Sequence, residues 1–227
     1  MPDLLNNEVL CILLTLICYR AGLEVQKRTK SALFNPILIA VILVLVFLWV
    51  TGSDPEAYQR GNTRLSWLIT PATVCLAIPM YEQLQVLQKN LKAILVGVAG
   101  GSISCLGMIL ALAALFRFDR KLTVSLLPKS VTSAIGAALS PLYGGMGSVT
   151  TAVIILTGIL AAVTGPMLCK LFKLDDEVSR GVALGTSGHV IGTSRANEMS
   201  PLTGAVSSLS LVVAGILTAI LFPFLVP

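Results

Sequence analysis

The chain has 227 residues, of which 55% are hydrophobic and 12% are charged, and its formal net charge is +5. A soluble domain of this length would carry about a quarter charged residues, so the composition excludes an ordinary soluble fold and predicts an all-α membrane protein with several crossings. The positive charge suits loops that face an anionic leaflet, and we expect no nucleic-acid binding.

Spanning a bilayer takes about 20 mainly apolar residues, and about eight hydrophobic segments approach this length. We predict that residues 1–227 form one transmembrane domain. The segments cover residues 4–19, 34–50, 65–84, 93–116, 122–140, 149–169, 178–199 and 204–226. The basic loop 20–30 is expected to be cytoplasmic. The basic loop 117–121 does not follow the charge rule, so either the charge bias is weak there or one interrupted segment is re-entrant.

An interrupted polar segment followed by a smooth apolar helix occurs two or three times. The interrupted segments read TPATVCLAIPMYEQ (70–83), LPKSVTSAIGAALS (127–140) and GTSGHVIGTSRANE (185–198). Such repeats point to a transporter's substrate site, although chance similarity among apolar helices is the alternative. The predicted parts are N-terminal helices over 4–64, repeat units over 65–121 and 122–177, and a partial unit over 178–227.

The second interrupted segment contains Lys129, the only charged residue in the run 122–169. A lone cation at membrane depth is costly unless an anion meets it. Pro128 interrupts the helix directly before it, and Ser130 and Thr132 add hydroxyls. This set of groups suits a carboxylate. The alternative is that Lys129 lies near an interface and extends to lipid phosphate.

The third interrupted segment contains the only histidine, His189. The neighbouring Gly185, Gly188 and Gly192 permit close backbone approach or local unwinding. A lone histidine is most often a packing residue, but small polar neighbours make a role in a site equally plausible here. As a donor or proton carrier, His189 would assist substrate binding.

Further polar groups lie at the end of the third interrupted segment. Thr193 and Ser194 add hydroxyls, and Arg195 could grip a substrate carboxylate. Alternatively, Arg195 and Glu198 form a structural pair three positions apart on a helix.

The first interrupted segment contains Pro71 and Pro79 but no charge before Glu82. Direct ligand contact and a kinked helix packed in the bundle are both open for it. Gly97 and Gly101, on the smooth helix that follows, indicate close helix packing.

Enzymatic chemistry finds no support in the motifs. A lone histidine excludes HExxH metal sites, and the chain has no nucleophile elbow, P-loop or dinucleotide fingerprint. We therefore expect no catalytic residue, no metal and no cofactor.

The three interrupted segments, in this order and at this spacing, resemble the LrgB/CidB family of bacterial membrane proteins. The resemblance covers nearly the whole chain. It implies an antiholin-like protein of the bacterial cytoplasmic membrane that accompanies a smaller LrgA/CidA-type membrane partner. Related plastid proteins move glycolate and glycerate, and some bacterial pairs look like pyruvate transporters, so the resemblance also implies a carboxylate transport subunit.

We therefore predict a transport subunit for small carboxylates, with the lipid bilayer as its environment and self-association left open. The alternative is a regulator of murein hydrolase export or autolysis that transports nothing. The predicted substrate-binding residues are Lys129, Ser130, Thr132, His189, Thr193, Ser194 and Arg195. The predicted helix-breaking residues are Pro71, Pro79, Pro128, Gly185, Gly188 and Gly192.

Overall fold

The computed structural model describes residues 7–29, 36–75 and 77–226, and over these ranges it consists of α-helices and one 3-10 helix, without a β-strand. The predicted all-α class is thus confirmed. The predicted starts of the first two segments, at Leu4 and Phe34, lie outside the described residues. Packing divides the chain into two units, residues 1–75 and 76–227, so the division falls inside the predicted repeat unit 65–121.

The first unit contains two longer apolar helices and three short ones. They are α1 (Glu8–Thr29), α2 (Pro36–Thr51), α3 (Pro55–Gly61), α4 (Thr63–Trp67) and α5 (Ile69–Cys75). Polar side chains tie α1 to the short helices, because the Thr15 hydroxyl lies 2.6 Å from the Tyr58 hydroxyl and donates to Asn62 Oδ1 at 3.1 Å. An ion pair of 2.6 Å between Glu8 and Arg64 adds a second link.

The second unit begins with a short helix and contains the longest apolar helices. Its elements are α6 (Ala77–Glu82), α7 (Leu84–Phe116), α8 (Arg120–Leu126), a 3-10 helix (Leu127–Ser130), α9 (Ser133–Leu142), α10 (Gly147–Leu171), α11 (Glu177–Met199) and α12 (Pro201–Leu225). Among the described residues, α7, α10 and α12 are long and apolar enough to cross a membrane. The count of about eight segments and the internal repeat stay predictions.

Two motifs with the pattern Phe–basic–apolar–Asp, at residues 116–119 and 172–175, end α7 and α10 in the same way. Arg117 and Lys173 both adopt left-handed backbone, with φ of 51° and 53°. In each case the next amide closes back on the helix, from Phe118 to Ala113 at 2.9 Å and from Leu174 to Cys169 at 2.8 Å. This is the Schellman termination, here formed on basic residues rather than glycine.

Asp176 caps the N-terminus of α11, outside the apolar spans. Hydrogen bonds from the Ser179 backbone N–H (2.8 Å) and hydroxyl (2.9 Å) hold the pKa of this carboxyl below its ordinary value. Because the folded pKa is depressed, the stabilisation is present above the unfolded value of about 3.9 and is lost as the pH falls through the folded value. We expect Asp176→Ala to lower the free energy of unfolding by about 1 kcal/mol at neutral pH.

Thermal unfolding in detergent at several pH values measures this difference, which should shrink below about pH 4. Asp175→Ala is the matched control, because Asp175 is 92% exposed and only faces Arg180 at 3.6 Å. Such a pair contributes little. An equal loss for both variants would contradict the cap assignment.

The seam between α11 and α12 leaves no room at Gly181. A Cβ there would lie 2.6 Å from Val206 Cβ and 2.8 Å from the Thr203 carbonyl oxygen. Gly181→Ala should therefore destabilise the protein by about 1–3 kcal/mol, the usual cost of overpacking. Gly100→Ala is the control, since its Cβ would have no neighbour within 4 Å. Thermal unfolding should separate the two variants, and a stabilised Gly181→Ala would refute the close approach.

Candidate functional site

The helix over the second interrupted segment breaks where proline predicts it. α8 ends at Leu126, and the 3-10 helix contains Pro128 with φ −84° and ψ 24°. Val131 is then fully extended, and the Thr132 side chain accepts from the Ile135 amide to cap α9. Proline supplies no amide hydrogen to continue the helix, so the chain stops and restarts around Lys129.

The third interrupted segment also breaks, and the break falls on His189 itself. His189 has φ 48° and ψ −134° inside α11, a conformation that favours glycine. Gly192 fits against this kink because a Cβ there would lie 2.5 Å from the Leu184 carbonyl oxygen. Gly188 approaches α10, where its Cβ would meet Ala161 Cβ at 2.9 Å. The glycines thus allow close packing, whereas the residue with the strained backbone conformation is His189.

The two breaks meet in space. The His189 imidazole, 3% exposed, interacts with both the ammonium and the backbone of Lys129. The Thr157 hydroxyl of α10 lies 3.4 Å from the Lys129 carbonyl oxygen. Lys129 and His189, which are 60 positions apart in sequence, are therefore held together, as discontinuous helices require when they form a common site.

A cleft of about 410 Å³ lies beside these breaks, between α7 and α11. Its polar part is formed by Lys129 and Ser130 of the 3-10 helix together with hydroxyl and thiol groups of the two helices. Its full lining is Gly97, Gly101, Ser104, Cys105, Met108, Lys129, Ser130, Val182, Ala183, Thr186 and Ser187. This volume is within the range of small-molecule sites.

Lys129 is half-buried and, among the residues that the structure describes, forms no ion pair with a carboxylate. Its position at the C-terminal end of a half-helix, where carbonyl groups carry partial negative charge, lowers the cost of the cation. A partial charge of this kind leaves the ammonium free to meet a full negative charge. The cleft can thus attract an anion.

Two polar atoms at the site have no hydrogen-bond partner within the described part of the chain. They are the Thr186 hydroxyl and His189 Nε2, both fully enclosed. The Ser130 hydroxyl, in contrast, lies 2.7 Å from the Cys105 thiol. An unsatisfied buried donor or acceptor is unfavourable, so a ligand or water that meets one of these atoms gains the corresponding energy.

The remaining predicted binding residues have other partners or positions, and their role in binding stays a prediction. Thr132 caps α9, and the Thr193 hydroxyl lies 2.8 Å from the Ser207 hydroxyl of α12. Ser194 is exposed, and Arg195 forms an ion pair with Glu198. The structure therefore brings together Lys129, Ser130 and His189.

The predicted helix-breaking residues of the first and third segments lie within helical backbone. Pro71 belongs to α5 and Pro79 to α6, and Gly185 is packed against Ser207 of α12. A break is observed at Pro128 and directly after Gly188.

Sequence reasoning missed the contribution of α7. Gly97 and Gly101 indicated packing, and they do approach α11, where their Cβ atoms would lie 3.1 Å from Val182 and 2.9 Å from Thr186. The same close approach makes both glycines part of the cleft. The sequence did not single out Thr186, because a sequence does not reveal which hydroxyl lacks a partner.

In a comparison with known proteins, one family model covers the whole second unit and most of the first. The model of the LrgB-like family matches residues 15–227. The chain is similar to the uncharacterized protein YwbG of Bacillus subtilis (strain 168), with 36% identity over 217 residues, which is 96% of each chain. No solved structure matches the chain.

Proposed function

The chain belongs to the LrgB-like family, and from this premise we propose that it is a transport subunit for small organic anions in the bacterial cytoplasmic membrane. The proposal assigns it no enzymatic step. The observation that carries the proposal is the ammonium of Lys129, which has no carboxylate partner among the described residues and lies in a cleft beside two broken helices. Discontinuous helices with a fixed charge are the usual setting of a secondary transporter's substrate site.

In this proposal each group near the breaks has a role. Lys129 pairs with the carboxylate. The Ser130 hydroxyl, which is also paired with the Cys105 thiol, hydrogen-bonds the substrate, and His189, next to Lys129, acts as donor or proton carrier. Pyruvate, glycolate and glycerate are the expected type of substrate. About eight segments would cross or enter the bilayer.

A smaller LrgA/CidA-type membrane protein is the proposed partner. Counterflow of labelled carboxylate in proteoliposomes that contain both proteins tests the function. We expect saturable uptake driven by unlabelled carboxylate inside the vesicles. Uptake without saturation would indicate a pore, and no uptake with any carboxylate would favour the antiholin-like regulator of murein hydrolase export.

A further inference from the structure

Thr186 is the one cleft residue with an enclosed hydroxyl that the described part of the chain leaves without a partner. The residue is 7% exposed. Helical hydroxyls in apolar surroundings commonly donate to a carbonyl four residues earlier. The neighbouring Ser187 does so, at 2.6 Å from the Ala183 carbonyl oxygen, but Thr186 does not. Its hydrogen-bonding capacity is therefore available to a ligand.

The close approach of α7 holds the Thr186 side chain in place. A Cβ at Gly101 would lie 2.9 Å from the Thr186 methyl carbon, so the methyl group packs on the bare glycine backbone. A side chain that is held on one side by its methyl group cannot freely turn its hydroxyl to another partner. The unsatisfied hydroxyl is thus a fixed feature of the cleft wall.

Two of the cleft's polar anchors lie on different elements, and Ser104 of α7 adds a third, exposed hydroxyl. Lys129, on the 3-10 helix, supplies the charge, and Thr186, on α11, supplies a hydroxyl that can donate or accept. The Ser130 and Ser187 hydroxyls already have partners. A ligand that satisfies both anchors carries one carboxylate and one further oxygen close to it.

The rest of the cleft is suited to an uncharged group. Gly97, Met108, Val182 and Ala183 contribute apolar surface, and Lys129 is the only charged residue in the lining. With about 30 Å³ for each heavy atom, the volume of a water molecule in the liquid, a three-carbon oxo acid fills roughly 180 Å³. This is less than half of the 410 Å³ cleft, which leaves room for an alkyl tail.

We propose that Thr186 is a specificity-determining residue that hydrogen-bonds the oxygen on the carbon next to the carboxylate. The apolar part of the cleft accordingly admits monocarboxylates with short alkyl tails, and it rejects dicarboxylates because the described lining residues offer no second cation. This inference rests on the proposed transport function and extends it to the residue that recognises the substrate's second oxygen and to the substrate's tail.

Competition in the counterflow assay tests the role of the Thr186 hydroxyl. The probes are 2-hydroxy-3-methylbutanoate and 3-methylbutanoate, which differ only in the hydroxyl. In the unmodified protein we expect the hydroxy acid to compete about tenfold better or more, because a site built for a hydroxyl rejects the analogue without it. Thr186→Val should remove most of this preference, whereas Thr186→Ser, which keeps the hydroxyl but lacks the methyl group that holds it in place, should keep part of it.

Thr151→Val is the matched control, because the Thr151 hydroxyl donates to the Gly147 carbonyl of its own helix and lies outside the cleft lining. It should keep the preference of the unmodified protein. The inference is overturned if Thr186→Val retains the preference, or if it weakens both acids equally.

A third probe tests whether the substrate must have a single negative charge, and a second variant tests whether the cleft holds the substrate's alkyl tail. We expect 2-hydroxyglutarate not to compete, and Ala183→Leu to weaken 2-hydroxy-3-methylbutanoate more than glycolate because it fills the apolar part of the cleft. Competition by the dicarboxylate, or an equal effect of Ala183→Leu on both acids, would overturn this part. If glycolate is transported but these tests fail, the inference alone is wrong; if no carboxylate is transported, the proposed function fails first.

Discussion

Lys129→Met should reduce saturable carboxylate counterflow by about a hundredfold or more while the protein stays folded. Removing one partner of a desolvated charge pair costs about 2–5 kcal/mol, and every 1.4 kcal/mol is a factor of ten in affinity. Methionine keeps similar length and packing without the charge. Since Lys129 has no carboxylate partner among the described residues, its loss should leave thermal stability unchanged or raised.

Lys121→Met is the matched control for this prediction. Lys121 is an exposed cation in the first turn of α8 and does not line the cleft. Its replacement removes the same charge from the helix that precedes the interrupted segment of Lys129, outside the cleft, so uptake should change little. Lys129→Arg, measured alongside, keeps the charge with a different shape and should retain part of the activity.

The same comparison decides between the two interpretations of Lys129. If its ammonium merely reached lipid phosphate, Lys129→Met and Lys121→Met would behave alike. Full activity of Lys129→Met would exclude this residue as the anion's partner.

His189→Gly should reduce transport at least about tenfold, and its melting temperature should lie above that of His189→Ala, which leaves the same cavity. A non-glycine residue in a sparsely populated backbone region costs about 1–3 kcal/mol, and glycine adopts φ 48° and ψ −134° without that cost. The greater freedom of glycine in the unfolded chain offsets up to about 1 kcal/mol of this gain. Transport falls because the imidazole that interacts with Lys129 is lost.

His189→Ala separates the backbone effect from the imidazole effect. It removes the same imidazole but keeps a Cβ on the strained backbone, so its transport should match that of His189→Gly while its melting temperature lies below. Thermal unfolding and counterflow of the same detergent preparations give both values. Full transport by His189→Gly would show that the kink matters and the imidazole does not.

The helix break at Pro128 was predictable because its cause is local. Pro128 lacks an amide hydrogen whatever surrounds it, and the break at this point follows. The three glycines of the third segment indicated an interruption there, but the strained residue is His189. Glycine permits unusual backbone without requiring it, and packing against α10 and α12 decides which residue bears the kink.

The hydroxyls near the breaks were harder to assign. Thr132, Thr193 and Thr186 look alike in sequence, yet one caps α9, one pairs with Ser207, and one has no partner among the described residues. A hydroxyl's role depends on what lies within about 3 Å of it, and that depends on how each helix is rotated against its neighbours.

Composition and sequence order alone thus determined the membrane class, the interruption at Pro128, the isolation of Lys129 and the family resemblance, because these properties depend on single residues and their immediate neighbours. Only the tertiary structure decided that His189 reaches Lys129, that Gly97 and Gly101 of α7 shape the cleft, and that the Thr186 hydroxyl finds no partner within the described part of the chain. These properties need helices distant in sequence to approach closely at a particular rotation. The approach results from the packing of small residues against large ones, which no local pattern specifies.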